Sequence, residues 1–256
     1  MMSPSPDPGI PGPYTAIVIG ARGGVGEAFV SWLSAHDEVN RILATSRDPR
    51  WCQHTPSNSR VIRRRLDLTD ESSVSGLLDV LDDESPPVRL VINASGLLHD
   101  AEVQPERSWR DLDPKQMVRL FEVHALGVAV LMKHLLPRLP RTGRSVFATL
   151  SARVGSIGDN RLGGWYSYRA SKAAQNMLVK CAAIEAARRS PDLVMLALHP
   201  GTVHSPLSEP FTSRLRAGHT VFTPEQSCAH LCSVISGCVP SDSGGFFAWD
   251  GEPIPW

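Results

Sequence analysis

The chain has 256 residues, of which 42% are hydrophobic and 20% charged, and its 26 Lys and Arg balance its 26 Asp and Glu. This composition excludes a disordered chain or a coiled coil, and the zero formal charge gives no whole-molecule electrostatic reason to expect nucleic acid or an anionic membrane as a partner. No run approaches the ~18 uninterrupted apolar residues of a bilayer span.

Residues 1–13 are built largely of Pro, Ser and Gly; they lack the basic-then-apolar order of a secretory signal and read as a flexible tail. Residues 14–256 are expected to form one domain. Five cysteines, an odd number, fit a reducing, cytoplasmic setting better than a disulfide framework. Cys228, Cys232 and Cys238 lie close in sequence but without paired Cys-x-x-Cys spacing, so no metal is expected.

The β-branched run 14–19 reads as a strand, ended by glycines and followed by helical spacing over 25–33. Further strands are expected over 41–45, 61–66, 88–92, 145–150, 193–198 and 245–249. Arg63, Arg64 and Arg65 within 61–66 read as a solvated edge. Thr69, Asp70 and Glu71 mark one helix start, and Asp113 with Pro114 and Gln116 marks another, running to about Leu136 before Pro137. An Ala-rich helix covers 168–189, and Thr223 with Pro224 and Gln226 repeats the capped signature. Strands alternating with helices imply a single Rossmann-type α/β domain with a doubly wound, parallel, seven-stranded sheet.

Gly20, Arg22, Gly23, Gly24, Val25 and Gly26 fall between the first strand and the first helix. Glycines there permit a tight turn, and a helix N-terminus offers free N–H groups to a pyrophosphate. The second strand ends in Ser46 and Arg47 where an NAD-binding chain of this fold usually carries an acid. Arg47 and Arg22 offer two cations for a 2′-phosphate, so NADP (NADPH) is the expected cofactor, with NAD as an alternative.

The Gly-x-x-x-Gly-x-Gly spacing resembles the cofactor loop of the short-chain dehydrogenase/reductase (SDR) superfamily, and the resemblance extends over nearly the whole chain. Asn93, Ala94, Ser95 and Gly96 resemble its Asn-Asn-Ala-Gly segment, matching the first two positions only in part; Tyr168 to Lys172 resembles its Tyr-x-x-x-Lys. Pro200, Gly201, Thr202 and Val203 resemble the stretch flanking the nicotinamide, and the run from Ser151 to Tyr168 looks most like the C-factor and sniffer-like carbonyl reductase branch. The resemblance implies an NADP-dependent oxidoreductase reducing a small carbonyl compound, with Tyr168 as proton donor and Lys172 lowering its pKa while binding the nicotinamide ribose. It implies contacts of Asp67 and Leu68 with adenine and of Ser205 with the carboxamide, and a homodimer or homotetramer. A catalytically weak nucleotide-binding signalling protein of the C-factor type is the alternative.

Tyr168 and Lys172, four apart, share one helical face, and a three-unit fall in the phenol pKa would need roughly 4 kcal/mol. Ser151, at the end of the fifth strand, is the chosen catalytic serine, although alignment on Gly155 puts Ala152 at the usual serine position; Ser156 is a further candidate. His124 stands where the family carries an asparagine of a proton relay; it either continues that relay or is a core histidine. Residues 205–220 are expected to form a mobile lid. The aromatic ending through Trp256 is expected to be a core strand plus a tail, with packing of its apolar tip against another subunit as the alternative.

Overall fold

The computed structural model describes residues 8–82, 84–212 and 220–256. Its short, β-branched apolar runs form β1 (Tyr14–Ile19), β2 (Val39–Ser46), β3 (Val61–Arg65), β4 (Val88–Asn93), β5 (Ser145–Leu150) and β6 (Leu193–His199). Three shorter strands follow: β7 (Thr202–Val203), β8 (Val221–Phe222) and β9 (Gly245–Ala248). The main sheet has the order β3-β2-β1-β4-β5-β6-β9 with every pairing parallel, the seven-stranded doubly wound arrangement expected. β7 and β8 pair in a small separate sheet that the sequence did not announce, being only two residues each.

The helices are α1 (Gly24–Ser34), α2 (Pro49–Gln53), α3 (Glu71–Ser75), α4 (Pro114–Phe121), α5 (Gly127–Leu135), α6 (Tyr166–Ala186), α7 (Glu209–Thr212) and α8 (Pro224–Gly237). A π turn, Glu122–Leu126, joins α4 to α5. Successive strand residues face opposite sides. Ala16 and Val18 accordingly pack with Phe29 and Leu33 of α1 and Leu231 and Ile235 of α8, while Ile17 and Ile19 pack with Val128 and Leu131 of α5 and Val179 of α6. The stretch Pro114–Arg138 is long and apolar enough to cross a bilayer by length and composition, but here its apolar face lies on the second of these layers.

Cys228, Cys232 and Cys238 are buried in the first layer as small hydrophobes. Among the described residues, no group of three or more His, Cys, Asp or Glu is arranged to hold a metal. Arg63 stacks on Trp51 with its guanidinium 4.3 Å from the ring centroid, covering the edge strand β3.

Two expectations need correction. Gln116 does not close a capping box: Asp113 accepts from Lys115 N–H, while Gln116 turns inward, accepting from Gln104 N–H at 2.8 Å and donating to Glu106 at 2.9 Å. Residues 8–13 are not a loose tail, since Ile10 is only 2% exposed within the first layer and Arg144 donates to Pro8 O at 3.2 Å. Ile10→Ala should therefore lower the unfolding free energy by about 2–4 kcal/mol in a denaturant titration. A loss within about 0.5 kcal/mol would mean that the segment does not pack as described.

Candidate active site

In a parallel sheet all the carboxyl ends share one edge, and the strand order reverses between β1 and β4, opening a crevice there. The glycine loop closes one side of it. Gly20 has φ +78°, and a Cβ on it would stand 2.9 Å from Ser95 N; one on Gly26 would stand 2.3 Å from Gly20 O. Only glycine allows this approach. Gly23 precedes α1 with no side-chain cap on the helix, so the first-turn amides remain available to an anion, with Gly24 and Val25 forming that turn.

Arg47 follows Ser46 on the exposed surface. The sequence reading overlooked Asp48. Its carboxylate caps α2 and lies 3.5 Å from Arg22 and 3.8 Å from Arg50, and the Arg50 backbone N–H, aided by both guanidinium groups, holds it below the ordinary carboxylate range. A carboxylate therefore stands near the end of β2, between cations. Asp67 accepts from Thr69 N–H and its hydroxyl, and Leu68 is buried against Gly127.

Beyond the crevice, Asn93 is level with Ile19 on one neighbouring strand and Thr149 on the other. Its amide donates to Thr149 Oγ1 at 3.0 Å, and its carbonyl oxygen accepts from Ser95 N–H and the Ser95 hydroxyl, fixing the turn through Ala94 to Gly96. Pro200 O accepts from Ser227, Gly201 (φ +76°) lies against the Phe222 ring, and Thr202 and Val203 form β7. The Ser205 hydroxyl is 3.2 Å from that of Ser208. Part of the expected lid, residues 213–219, lies outside the described residues.

The structure brings Tyr168 and Lys172 together in the first turns of α6, both buried. The Lys172 ammonium lies 5.9 Å from the centre of the Tyr168 ring and donates to Leu150 O and Gln175 Oε1, each at 3.0 Å. Gln175 is held in turn by its own N–H bonds to Thr149 Oγ1 and Leu150 O, which force its oxygen toward the amine. Burial lowers the Lys172 pKa to about 7, and burial alone raises that of Tyr168. The expected fall in the phenol pKa is thus reversed in the protein by itself, because desolvation favours the neutral phenol.

Two expected catalytic groups are differently employed. The Ser151 hydroxyl donates to Asn176 Oδ1 at 2.7 Å, and the extended Ala152 after it turns the opposite way, into the apolar cluster that contains Tyr168. Ala152 thus shares the apolar cluster of Tyr168, while the hydroxyl of Ser151, the expected catalytic serine, is engaged by Asn176. Ser156 donates to Pro255 O, and Gly158 N–H donates to Trp256 O, so the aromatic C-terminus folds back onto this loop instead of trailing as a tail.

His124 Nε2 accepts from Leu97 N–H at 3.0 Å, so the ring proton sits on Nδ1 and points to Ser171 Oγ at 2.9 Å. Burial, with Lys172 nearby, holds the imidazole neutral, its pKa well below the usual value. Both ring nitrogens are thus engaged within the protein, and His124 ties the π turn to the loop after β4.

Gln175, Asp48 and Glu106 were missed. Gln175 stands one turn beyond Lys172, a spacing from which it could have been found. Glu106 comes from a distant loop, and nothing local signals it.

Residues 14–216 match the family described as short chain dehydrogenase. The 1-hydroxy-2-glutathionyl-2-methyl-3-butene dehydrogenase of a Rhodococcus species is 29% identical over 94% of this chain and 99% of its own. The C-signal protein of Myxococcus xanthus is 34% identical over 57% of this chain and 82% of its own. Among solved structures, the NADPH-bound carbonyl reductase from chicken fatty liver superposes with a TM-score of 0.81 at 24% identity, covering 97% of this chain and 96% of that one.

Lys172 gives a pH signature. Its amine is charged in the unfolded chain up to about pH 10.5, but in the folded protein only up to about 7. Between these limits the unfolded state binds more protons, so stability rises with pH by up to about 1.4 kcal/mol per unit, and the contribution is lost as pH falls through 7. The difference between wild type and Lys172→Met in unfolding free energy should show this slope; a flat difference curve from pH 7 to 10 would contradict it.

Proposed function

We propose, since the chain belongs to the short-chain dehydrogenase family, that it is an NADPH-dependent carbonyl reductase in which Tyr168 gives the proton. The observation that carries this reading is the buried phenol one helical turn from a buried amine, at the carboxyl edge of the sheet beside the glycine loop.

The residues present fit a dinucleotide. The uncapped first turn of α1 suits a pyrophosphate, while Arg22 and Arg47 suit the 2′-phosphate. Asp48 carries less repulsion than a free acid because two guanidinium groups flank it. When bound, NADPH supplies the hydride.

The chain's own part is to place and protonate the carbonyl. Tyr168, kept as a phenol by burial, is in the form that donates to a carbonyl oxygen as charge builds on it. Lys172 directs two protons to Leu150 O and Gln175; as an ammonium, up to about pH 7, it has a third for a ribose hydroxyl, and as a neutral amine its lone pair can accept from that hydroxyl. Ala152 supplies no second donor to the developing alkoxide, so Tyr168 must do this alone.

That missing hydroxyl, together with the engaged His124, favours a second reading: a slow, nucleotide-binding signalling protein. The partial similarity to C-signal points the same way.

NADPH oxidation against a panel of aldehydes and ketones separates the two. On the first reading Tyr168→Phe lowers kcat by at least about 100-fold with NADPH binding preserved. Ala152→Ser raises kcat by about 10-fold or more, because it restores an oxyanion donor. Equal activity of Tyr168→Phe would remove the mechanism, and tight NADPH binding without turnover of any carbonyl would favour the signalling reading. For the cofactor, Arg22→Ala combined with Arg47→Ala should raise KM for NADPH by about 10-fold or more while changing that for NADH less than twofold, given that a charge-assisted contact contributes about 1.5–3 kcal/mol. Equal changes for the two would show that neither arginine reads the 2′-phosphate.

A further inference from the structure

The start of α6 is built in an unusual way. Trp165, the residue preceding the helix, has φ 51° and ψ 41°, and among the described residues it is the one non-glycine in the left-handed region. Gly163 and Gly164 before it also have positive φ, so three successive residues turn left-handed. A tryptophan resists this conformation and keeps it only where its surroundings impose it.

The imposing group is Glu106, a carboxylate that the chemistry at Tyr168 does not use and that is only 3% exposed. Its backbone oxygen accepts from Trp165 N–H at 2.6 Å. Its side chain accepts from both the N–H and the hydroxyl of Ser167, replacing the cap that Trp165 cannot provide, and from Gln116 of α4 at 2.9 Å. One buried side chain therefore joins α4 to the first turn of α6, and Tyr168 is the next residue.

The result of this strain is the position of the indole. It meets the Tyr168 ring edge-on at 6.2 Å and the Phe211 ring of α7 at 5.0 Å, and His99 stands against the far side of Phe211 at 5.6 Å. Val154 and Ala152 belong to the same apolar cluster. Together these residues give the wall beside Tyr168 an aromatic and aliphatic surface, with the Arg169 guanidinium bonded to Gly164 O and Val154 O at its edge.

We infer that Glu106 and Trp165 form a substrate-selecting clamp, in which Glu106 holds the indole as one wall of the site and the wall selects flat, apolar carbonyl compounds of the aryl aldehyde and aryl ketone class. This rests on the carbonyl-reduction reading. The aryl ring packs against the surface that Trp165 and Phe211 form together while its carbonyl meets Tyr168. Glu106 is a positioning residue, since it acts through Trp165 and touches no reacting atom.

The test compares benzaldehyde with propanal. Trp165→Asn removes the indole but tolerates the left-handed backbone. It should lower kcat/KM for benzaldehyde at least tenfold, chiefly through KM, and change that for propanal less than threefold. Glu106→Gln keeps the size but weakens the cap; it should raise KM for benzaldehyde in the same direction. Because both act on one wall, Trp165→Asn with Glu106→Gln should bind benzaldehyde no worse than Trp165→Asn alone. Equal losses for the two aldehydes, or fully additive losses in KM, would overturn the clamp.

A binding measurement keeps the outcome separate from turnover. Indole fluorescence of the protein–NADPH complex, wild type minus Trp165→Asn, should quench saturably as benzaldehyde is added. Saturable quenching in a wild-type protein that reduces neither aldehyde would refute carbonyl reduction and support the clamp; no quenching would overturn the clamp whatever the turnover.

Discussion

The arrangement of the site follows from the burial of a phenol and an amine together at the open end of a parallel sheet. In water the amine would be a full cation and the phenol an indifferent acid. Burial favours the neutral form of both and so drives their pKa values apart, lowering that of Lys172 to about 7 and raising that of Tyr168. The amine stays within reach of a charge only because Leu150 O and Gln175 accept its protons. Gln175 in turn is oriented by Thr149, which also receives Asn93. This chain of hydrogen bonds links the ends of β4 and β5 to α6, so the sheet sets the position of the amine to within a hydrogen-bond length.

Around that pair, the polar groups have been redistributed. Ala152 shares the apolar cluster of Tyr168, Ser151 bonds to Asn176, and His124 stitches the π turn to the loop after β4. A site of this kind relies on the shape of its walls and on one phenol. Trp165 and Phe211, edge to face with each other, provide such a wall on the substrate side.

The fold was legible because its signals are local. Tyr14–Ile19 and Ser145–Leu150 stand where their β-branched runs put them, and Thr223 with Gln226 forms the capping box that their spacing announces. The glycine loop and the Tyr168–Lys172 pair were legible for the same reason, one as a turn and the other as one helical face. What a side chain does after it is placed was not. Ser151 and Ala152 differ by one residue, and only the direction of the chain leaving β5 decides which of them faces Tyr168. Gln116 looked like a capping residue until Glu106, ten residues earlier, offered it a buried carboxylate. Ile10 sits in a Pro- and Gly-rich segment and still enters the core, since a single apolar residue can dock without periodicity.

The most direct test is the ionisation of Tyr168, read as phenolate absorbance near 295 nm in wild type minus Tyr168→Phe across a pH titration. The account predicts no Tyr168 signal up to and beyond pH ~10, the ordinary phenol value, in the protein alone, and a downward shift once NADP⁺ is added. A phenolate signal below that value without cofactor would contradict it, because burial would then not be what holds the proton on the tyrosine.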